Sequence, residues 1–271
     1  MVAARKLHRR AERTATGRFL VEGAQAVREA LATATVHELF VTAAAEARHQ
    51  DLVAAAAVAR VPVSPVTDRA AAALSDTVTP QGLVAVCDTV TVALDEALRT
   101  GPRLVAVLAG VSDPGNAGTV IRVADAAGAG AVVLAGDAVD PHNGKCVRAT
   151  AGSLFHLPVA VHRDLAGAVD ALRANGLRVL AGTGRGRLDL EEAADAGLLD
   201  GRTAWVFGSE AHGLDGATEA RADETVRVPI HGAAESLNLA TAAAVCLYAS
   251  ARAARHAASV VRPPSAFPVD E

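Results

Sequence analysis

From Leu104 onward the chain repeats one pattern: a short apolar run, a polar turn, then a stretch with helical spacing. Strands without polar alternation are buried on both faces, and strands that alternate with helices pair in parallel through crossovers. The apolar runs predict strands over Leu104–Ala109, Ala131–Leu134, Pro158–Val161, Leu177–Thr183, Thr203–Phe207 and Thr225–Val228. Spacing of three and four predicts helices over Asn116–Ala127, Asn143–Ala151, Leu165–Asn175 and Leu237–His256, with a short acidic helix before Thr203. The expected fold class is α/β, with a mainly parallel sheet covered on both faces.

The first part of the chain reads as a smaller α/β domain. Phe19–Gly23, Val36–Thr42, Val61–Val63 and Leu83–Cys87 are strand-like; Ala24–Ala34 is helical, and a second helix runs through Val58. Ser75–Gly82 is an irregular loop, and Gly101-Pro102 marks a helix end and linker. The domains expected are therefore 1–97 and 103–258. A tail, 259–271, holds Pro263, Pro264 and Pro268 and is expected to be disordered. Only 3% of the residues are aromatic while 51% are hydrophobic, so the cores must be built from Ala, Val and Leu.

Charge is unevenly placed. Residues 1–18 carry Arg5, Lys6, Arg9, Arg10, Arg13 and Arg18 against Glu12 alone, in a chain of net charge −4. Such a run suits a phosphate-binding arm on an acidic body, and it equally suits a solvated, frayed terminus. Cys87, Cys146 and Cys246 are odd in number and show no CxxC spacing, which points to core thiols and no metal site. No apolar run reaches a membrane span, and the basic start lacks the uncharged core of a secretion signal. A reduced cytoplasmic protein with no membrane partner is expected.

Ligands of parallel sheets bind beyond the carboxyl ends of the strands. Three glycine-containing junctions lie at such ends: Asp113 to Arg122, Phe207 to Gly213, and Val228 to Leu239. Together they suggest one composite site. Gly182, Gly184 and Gly186 are an incomplete dinucleotide fingerprint, GxxxxGK[ST] is absent, and Ser209 does not sit in a Gly-x-Ser-x-Gly elbow. Asn116, Arg122, Glu210, Ser236 and Asn238 are the candidate functional side chains of the junctions. Arg122, two turns into its helix, could reach over the same pocket. Each also has a structural use: Asn116 or Ser236 as a helix N-cap, Glu210 and Arg122 as an ion pair. His212 and His231 read as solvated loop residues.

In these junctions the chain resembles the SpoU/TrmH branch of the SPOUT superfamily, the RNA 2′-O-ribose methyltransferases. An N-x-G-x-x-x-R core is matched by Asn116, Gly118 and Arg122. A G-x-E-x-x-G turn is matched by Gly208, Glu210 and Gly213. A motif close to I-P-x-x-G-x-x-x-S-L-N is matched by Pro229, Gly232, Ser236, Leu237 and Asn238, with Val228 in place of Ile. The N-terminal part is similar to a substrate-binding domain related to ribosomal L30e proteins, through Phe19–Gly23 and Ser75–Gly82. The resemblance implies a trefoil-knotted methyltransferase domain, a homodimer formed through it, and S-adenosylmethionine held by Thr183, Gly184, Gly208, Val228 and Leu237. It makes Arg122 the residue that activates the ribose hydroxyl, supported by Asn116, Glu210, Ser236 and Asn238.

The implied reaction is methyl transfer to a ribose 2′-hydroxyl in structured RNA, with 23S ribosomal RNA favoured by the appended domain. Arg122 could act as the base or as a clamp on the adjacent phosphate that lowers the hydroxyl's pKa. Two other readings stand beside it: a transfer RNA 2′-O-methyltransferase, and an RNA-binding or ribosome-assembly protein without catalysis.

Overall fold

The computed structural model describes residues 1–260. Its first part comprises α1 (Val2–Lys6), α2 (Arg10–Thr16), β1 (Arg18–Glu22), α3 (Ala24–Thr33), β2 (Val36–Val41), α4 (Ala43–Arg48), α5 (Gln50–Val58), β3 (Val63–Pro65), α6 (Asp68–Ala72) and β4 (Leu83–Asp88). The four strands form one sheet in the order β1-β4-β2-β3, antiparallel except for β2 with β3. The helix expected through Val58 is broken at His49, which ends α4 and precedes α5.

The second part comprises β5 (Thr91–Val92), α7 (Leu94–Leu98), β6 (Leu104–Ala109), α8 (Pro114–Ala126), β7 (Ala131–Ala135), α9 (Gly144–Thr150), a 3-10 turn at Ser153–Phe155, β8 (Val159–His162) and α10 (Leu165–Ala174). It continues through β9 (Arg178–Gly182), β10 (Leu188–Asp189), α11 (Leu190–Asp195), β11 (Thr203–Phe207), α12 (Gly216–Arg221), β12 (Glu224–Arg227) and α13 (Leu239–Val260). Its eight strands run β10-β12-β9-β11-β6-β7-β8-β5, every neighbouring pair parallel. Burial on two faces explains the apolar runs. Leu104, Ala106 and Leu108 of β6 pack with α8 and α13, whereas Val105, Val107 and Ala109 pack with α7 and α10.

Several boundaries differ from expectation. Residues 91–97, assigned to the first domain from sequence, pack with the second: β5 pairs with β8, and Leu94, Ala97 and Leu98 are buried against the large sheet. The last helix starts at Leu239, because Asn238 Oδ1 accepts the Ala240 and Thr241 amides at 2.8 and 3.3 Å and so caps it. At its other end α13 includes residues 259 and 260, expected in the tail; residues 261–271 lie outside the described residues.

The two sheets share one core. Phe19 and Val21 of β1 lie in the same apolar cluster as Cys146 and Leu154, and the Phe19 ring sits 4.5 Å from that of His142. Ion pairs cross the same junction: Arg13 with Asp140 at 2.6 Å, Arg148 with Glu22 at 3.2 Å, and His156 with Glu29 at 3.2 Å.

The basic N-terminus is not an arm. Ala4 of α1 and Leu7 just after it pack on the small sheet, and Arg13 of α2 is buried. Its Nε and Nη2 donate to Asp140 Oδ2, and its Nη1 to the Leu7 and His8 carbonyls. Four of its five N–H donors are thus engaged inside the protein, which favours a structural use of Arg13 over the phosphate contact expected from sequence. Arg5, Lys6, Arg9, Arg10 and Arg18 remain exposed, with Arg18 at 3.8 Å from Asp88.

The three cysteines are free and buried, and burial pushes each thiol up to about 12. Among the described residues no cluster could hold a metal ion, and no helix is long and apolar enough to cross a membrane.

Candidate active site

The turn before α8 is built around Asp113, and Asn116 does not cap the helix. Asp113 Oδ1 accepts the Asn116 amide at 2.8 Å, and Pro114 occupies the first helical position, where a missing N–H costs nothing. Asn116 thus stands in the first turn with its side chain free to reach outward. Gly118 sits against α9; a Cβ there would lie 2.4 Å from the Cys146 carbonyl oxygen and 2.7 Å from the Ala149 Cβ.

The second junction follows β11. Gly213 adopts a left-handed φ of 67°, and its amide donates to the Ser209 carbonyl at 2.8 Å, closing a tight turn. A Cβ on Gly208 would fall 2.1 Å from the Gly213 carbonyl carbon, so the turn can fold back on itself only with glycine there. Glu210 rides on this turn, exposed. The third junction runs from the end of β12 to the cap of α13 and is exposed from Ile230 to Asn238.

One hydrogen-bond chain joins all three. Asn238 Nδ2 donates to Asn116 Oδ1 at 3.1 Å, and Asn116 Nδ2 donates to Glu210 Oε1 at 2.9 Å. Because Asn238 Oδ1 is occupied by helix amides, its Nδ2 must face Asn116; this fixes the Asn116 amide with its Nδ2 towards the carboxylate. Side chains 94 and 122 residues apart in sequence are thereby brought together.

Beside the chain lies a cleft of about 790 Å³ at the carboxyl ends of β9, β11 and β12. Thr183, Gly184, Gly208, Val228 and Leu237 all line it, as do Glu210, Ser236 and Asn238. Val226, Ile230, Leu239 and Cys246 add apolar wall, and Glu235 and Arg227 add charge. A Cβ on Gly184 would meet nothing within 4 Å, so that segment leaves open space beside the cleft.

Arg122 is not gathered into this group. It is exposed, absent from the cleft lining, and has no hydrogen bond or ion pair among the described residues, including the ion pair with Glu210 that sequence suggested. Six residues along a helix turn a side chain by about 240°, which points Arg122 away from Asn116. Ser236 lines the cleft without capping α13. His212 and His231 are exposed loop residues. Asp113 and Lys145 escaped sequence reasoning as site components. Asp113 was legible as an acid before Pro-Gly-Asn, but Lys145, 32 residues away, gave no local signal.

The family profile described as the SpoU rRNA methylase family matches residues 103–248, and that of the MRM3-like substrate binding domain matches residues 2–85. The chain is 37% identical over 245 residues to the 23S rRNA (guanosine(2553)-2′-O)-methyltransferase RlmP of Bacillus subtilis, covering 90% of this chain and 92% of that one. It is also 37% identical over 149 residues to the 23S rRNA (uridine(2479)-2′-O)-methyltransferase of Streptomyces viridochromogenes, covering 52% of this chain and 50% of that one. Among solved structures, the SpoU methyltransferase AviRb from Streptomyces viridochromogenes in complex with the cofactor AdoMet superposes with a TM-score of 0.79 at 28% identity, covering 93% of this chain and 96% of that one. The AdoMet-bound rRNA methyltransferase from Sinorhizobium meliloti gives 0.76 at 28% identity, covering 93% of each chain. With the profile spanning more than half its length, two junctions lining one cleft and the first bonded to both through Asn116, the chain belongs to the SpoU rRNA methylase family.

Proposed function

We propose that the chain transfers a methyl group from S-adenosylmethionine to a ribose 2′-hydroxyl in 23S ribosomal RNA. The observation that carries this reading is the Asn238–Asn116–Glu210 chain, which ties three distant segments to the rim of one cleft. The residues present fit the methyl donor. The cleft falls within the roughly 300–1,000 Å³ usual for small-molecule sites. Its walls are apolar side chains and glycine backbone, suited to an adenine ring. Thr183, Gly184, Gly208, Val228 and Leu237 would hold the donor, which supplies an electrophilic sulfonium methyl.

The chain's own residues then have two tasks. Glu210, Ser236, Asn116 and Asn238 orient the ribose so that its oxygen lies in line with the methyl; positioning of this kind supplies much of a transfer rate. Arg122 serves the second task. Its planar fork of donors would clamp the phosphate beside the ribose and ease loss of the 2′-hydroxyl proton to water, as the C–O bond forms and the donor's methyl–sulfur bond breaks. The exposed donors at Arg5, Lys6, Arg9, Arg10 and Arg18 supply further phosphate contacts away from the cleft.

The functional unit in this reading is a homodimer. Val245 and Tyr248 are exposed along one face of α13, at 39% and 48%, an apolar stripe that suits a second copy. Since Arg122 turns away from its own cleft, it is assigned to the cleft of that copy. The strand order, with β9 between β12 and β11, accords with the knotted path that the family resemblance implies.

Arg122→Ala tests the reading. It should lower methyl transfer about a hundred- to a thousandfold, the order expected when a group stabilising the transition state is removed, while calorimetry shows donor affinity unchanged. Transfer at the wild-type rate would sink the assignment.

A further inference from the structure

Lys145 lies on α9, outside the cleft lining. Its Nζ donates to Asp113 Oδ2 at 2.6 Å, while Asp113 Oδ1 accepts the Asn116 amide at 2.8 Å. The Asn116 side chain in turn holds Glu210 and Asn238. An unbroken series of hydrogen bonds therefore runs from α9 to all three segments at the rim.

The approach of α9 is built into the backbone on either side of Asn116. A Cβ on Gly115 would lie 2.9 Å from Asp113 Oδ1 and 3.0 Å from Lys145 Cε, so the lysine stem crosses close over the first turn of α8 at a glycine. Gly118 likewise admits the Cys146 carbonyl. The same short helix is anchored at its other end, where Arg148 Nη1 donates to Glu22 Oε2 at 3.2 Å in the smaller sheet.

From this we infer that Lys145 is a positioning residue for the methyl-transfer site, an inference that rests on the function proposed above. Asp113 can rotate about its side-chain torsions. A charge-assisted bond to one carboxylate oxygen holds the other on the Asn116 amide. That fixes the first turn of α8 and the direction in which Asn116 presents its side chain. The alternative for an exposed lysine near RNA is a phosphate contact, but here the ammonium is already matched by a carboxylate at 2.6 Å.

The test uses the full chain with ribosomal RNA and S-adenosylmethionine. Single-turnover methyl transfer at saturating substrates, RNA affinity across salt, and melting temperature are measured for wild type, Lys145→Met, Lys145→Arg, Asp113→Asn, and Lys145→Met combined with Asp113→Asn. Lys145→Met should slow transfer about tenfold, a modest share of what a misplaced reactant costs. RNA affinity should change less than about twofold, with the melting temperature kept, since the side chain is 56% exposed. Lys145→Arg, which keeps the charge, should restore the rate to within about threefold. On the Asp113→Asn background, Lys145→Met should do nothing further, because residues that act through one another are not additive.

An unchanged rate for Lys145→Met, or a full additional loss on the Asp113→Asn background, overturns the inference. So does a drop in RNA affinity with the salt slope reduced by about one, which identifies a phosphate contact. A wild-type chain that transfers no methyl overturns the function and the inference together, whereas an active wild type with unaffected Lys145→Met overturns only the latter.

Discussion

Arg13→Ala should loosen the junction between the two sheets while leaving RNA affinity nearly unchanged. The side chain is 5% exposed and makes four hydrogen bonds, two of them to Asp140 Oδ2 at 2.9 and 2.6 Å. Asp140 is itself largely covered, so truncation strands a carboxylate away from water. Breaking one partner out of a buried pair costs about 3–5 kcal/mol. For a chain of this size each kcal/mol moves the melting temperature by roughly 2–4 °C, which gives a fall of roughly 6–20 °C at neutral pH.

The pH dependence supplies a second signature. Burial alone would raise the Asp140 carboxyl, but hydrogen bonds from His142 and Arg13 outweigh it and hold the group below the usual carboxylate range. A group with a lowered folded pKa contributes stability that is complete above its unfolded value and disappears as pH falls through the folded one. The contribution is therefore present at neutral pH and begins to fade below about pH 4. The gap between wild type and Arg13→Ala should narrow accordingly on acidification. Calorimetric melting at neutral and acid pH, together with RNA titration, measures both. A melting temperature within 2 °C of wild type at neutral pH, which is below the range derived above, combined with a clear loss of RNA affinity, would refute the structural role and restore Arg13 as a phosphate ligand.

Two further outcomes follow from the packing of α8 and the direction of Arg122. Gly118→Ala gains about 1 kcal/mol of helix propensity. Its Cβ meets the Cys146 carbonyl at 2.4 Å, however, and overpacking of this kind costs about 1–3 kcal/mol. Melting temperature and transfer rate should both fall, and a stabilised variant would show that the helices are not in contact there. If Arg122 serves the second copy, mixing inactive Arg122→Ala with inactive Glu210→Ala should recover about a quarter of wild-type activity, since half the dimers are mixed and one cleft in each is whole. No recovery after subunit exchange would place both residues in the same cleft.

Much of the fold was legible because buried parallel strands leave a coarse signal. β6 and β11 occur where their apolar runs place them, for burial on both faces leaves them almost wholly apolar. The glycines were legible as well, though their reasons differ: Gly208 answers a backbone contact and Gly118 a helix contact, and sequence distinguishes neither. What failed was charge. Arg13 and Arg10 look alike in a basic run, and only the tertiary position of Asp140, 127 residues on, decides that one is buried and the other exposed. The direction of Arg122 failed for a related reason, because the motif spacing fixes its place on the helix but not what faces it.

Mapping of ribose methylation across total RNA, with and without the chain, tests the central claim most directly. A 2′-O-methyl mark in 23S ribosomal RNA should disappear when the gene is deleted and return with wild type but not with Arg122→Ala. An unchanged set of ribose marks in ribosomal RNA, or full restoration by Arg122→Ala, would contradict it.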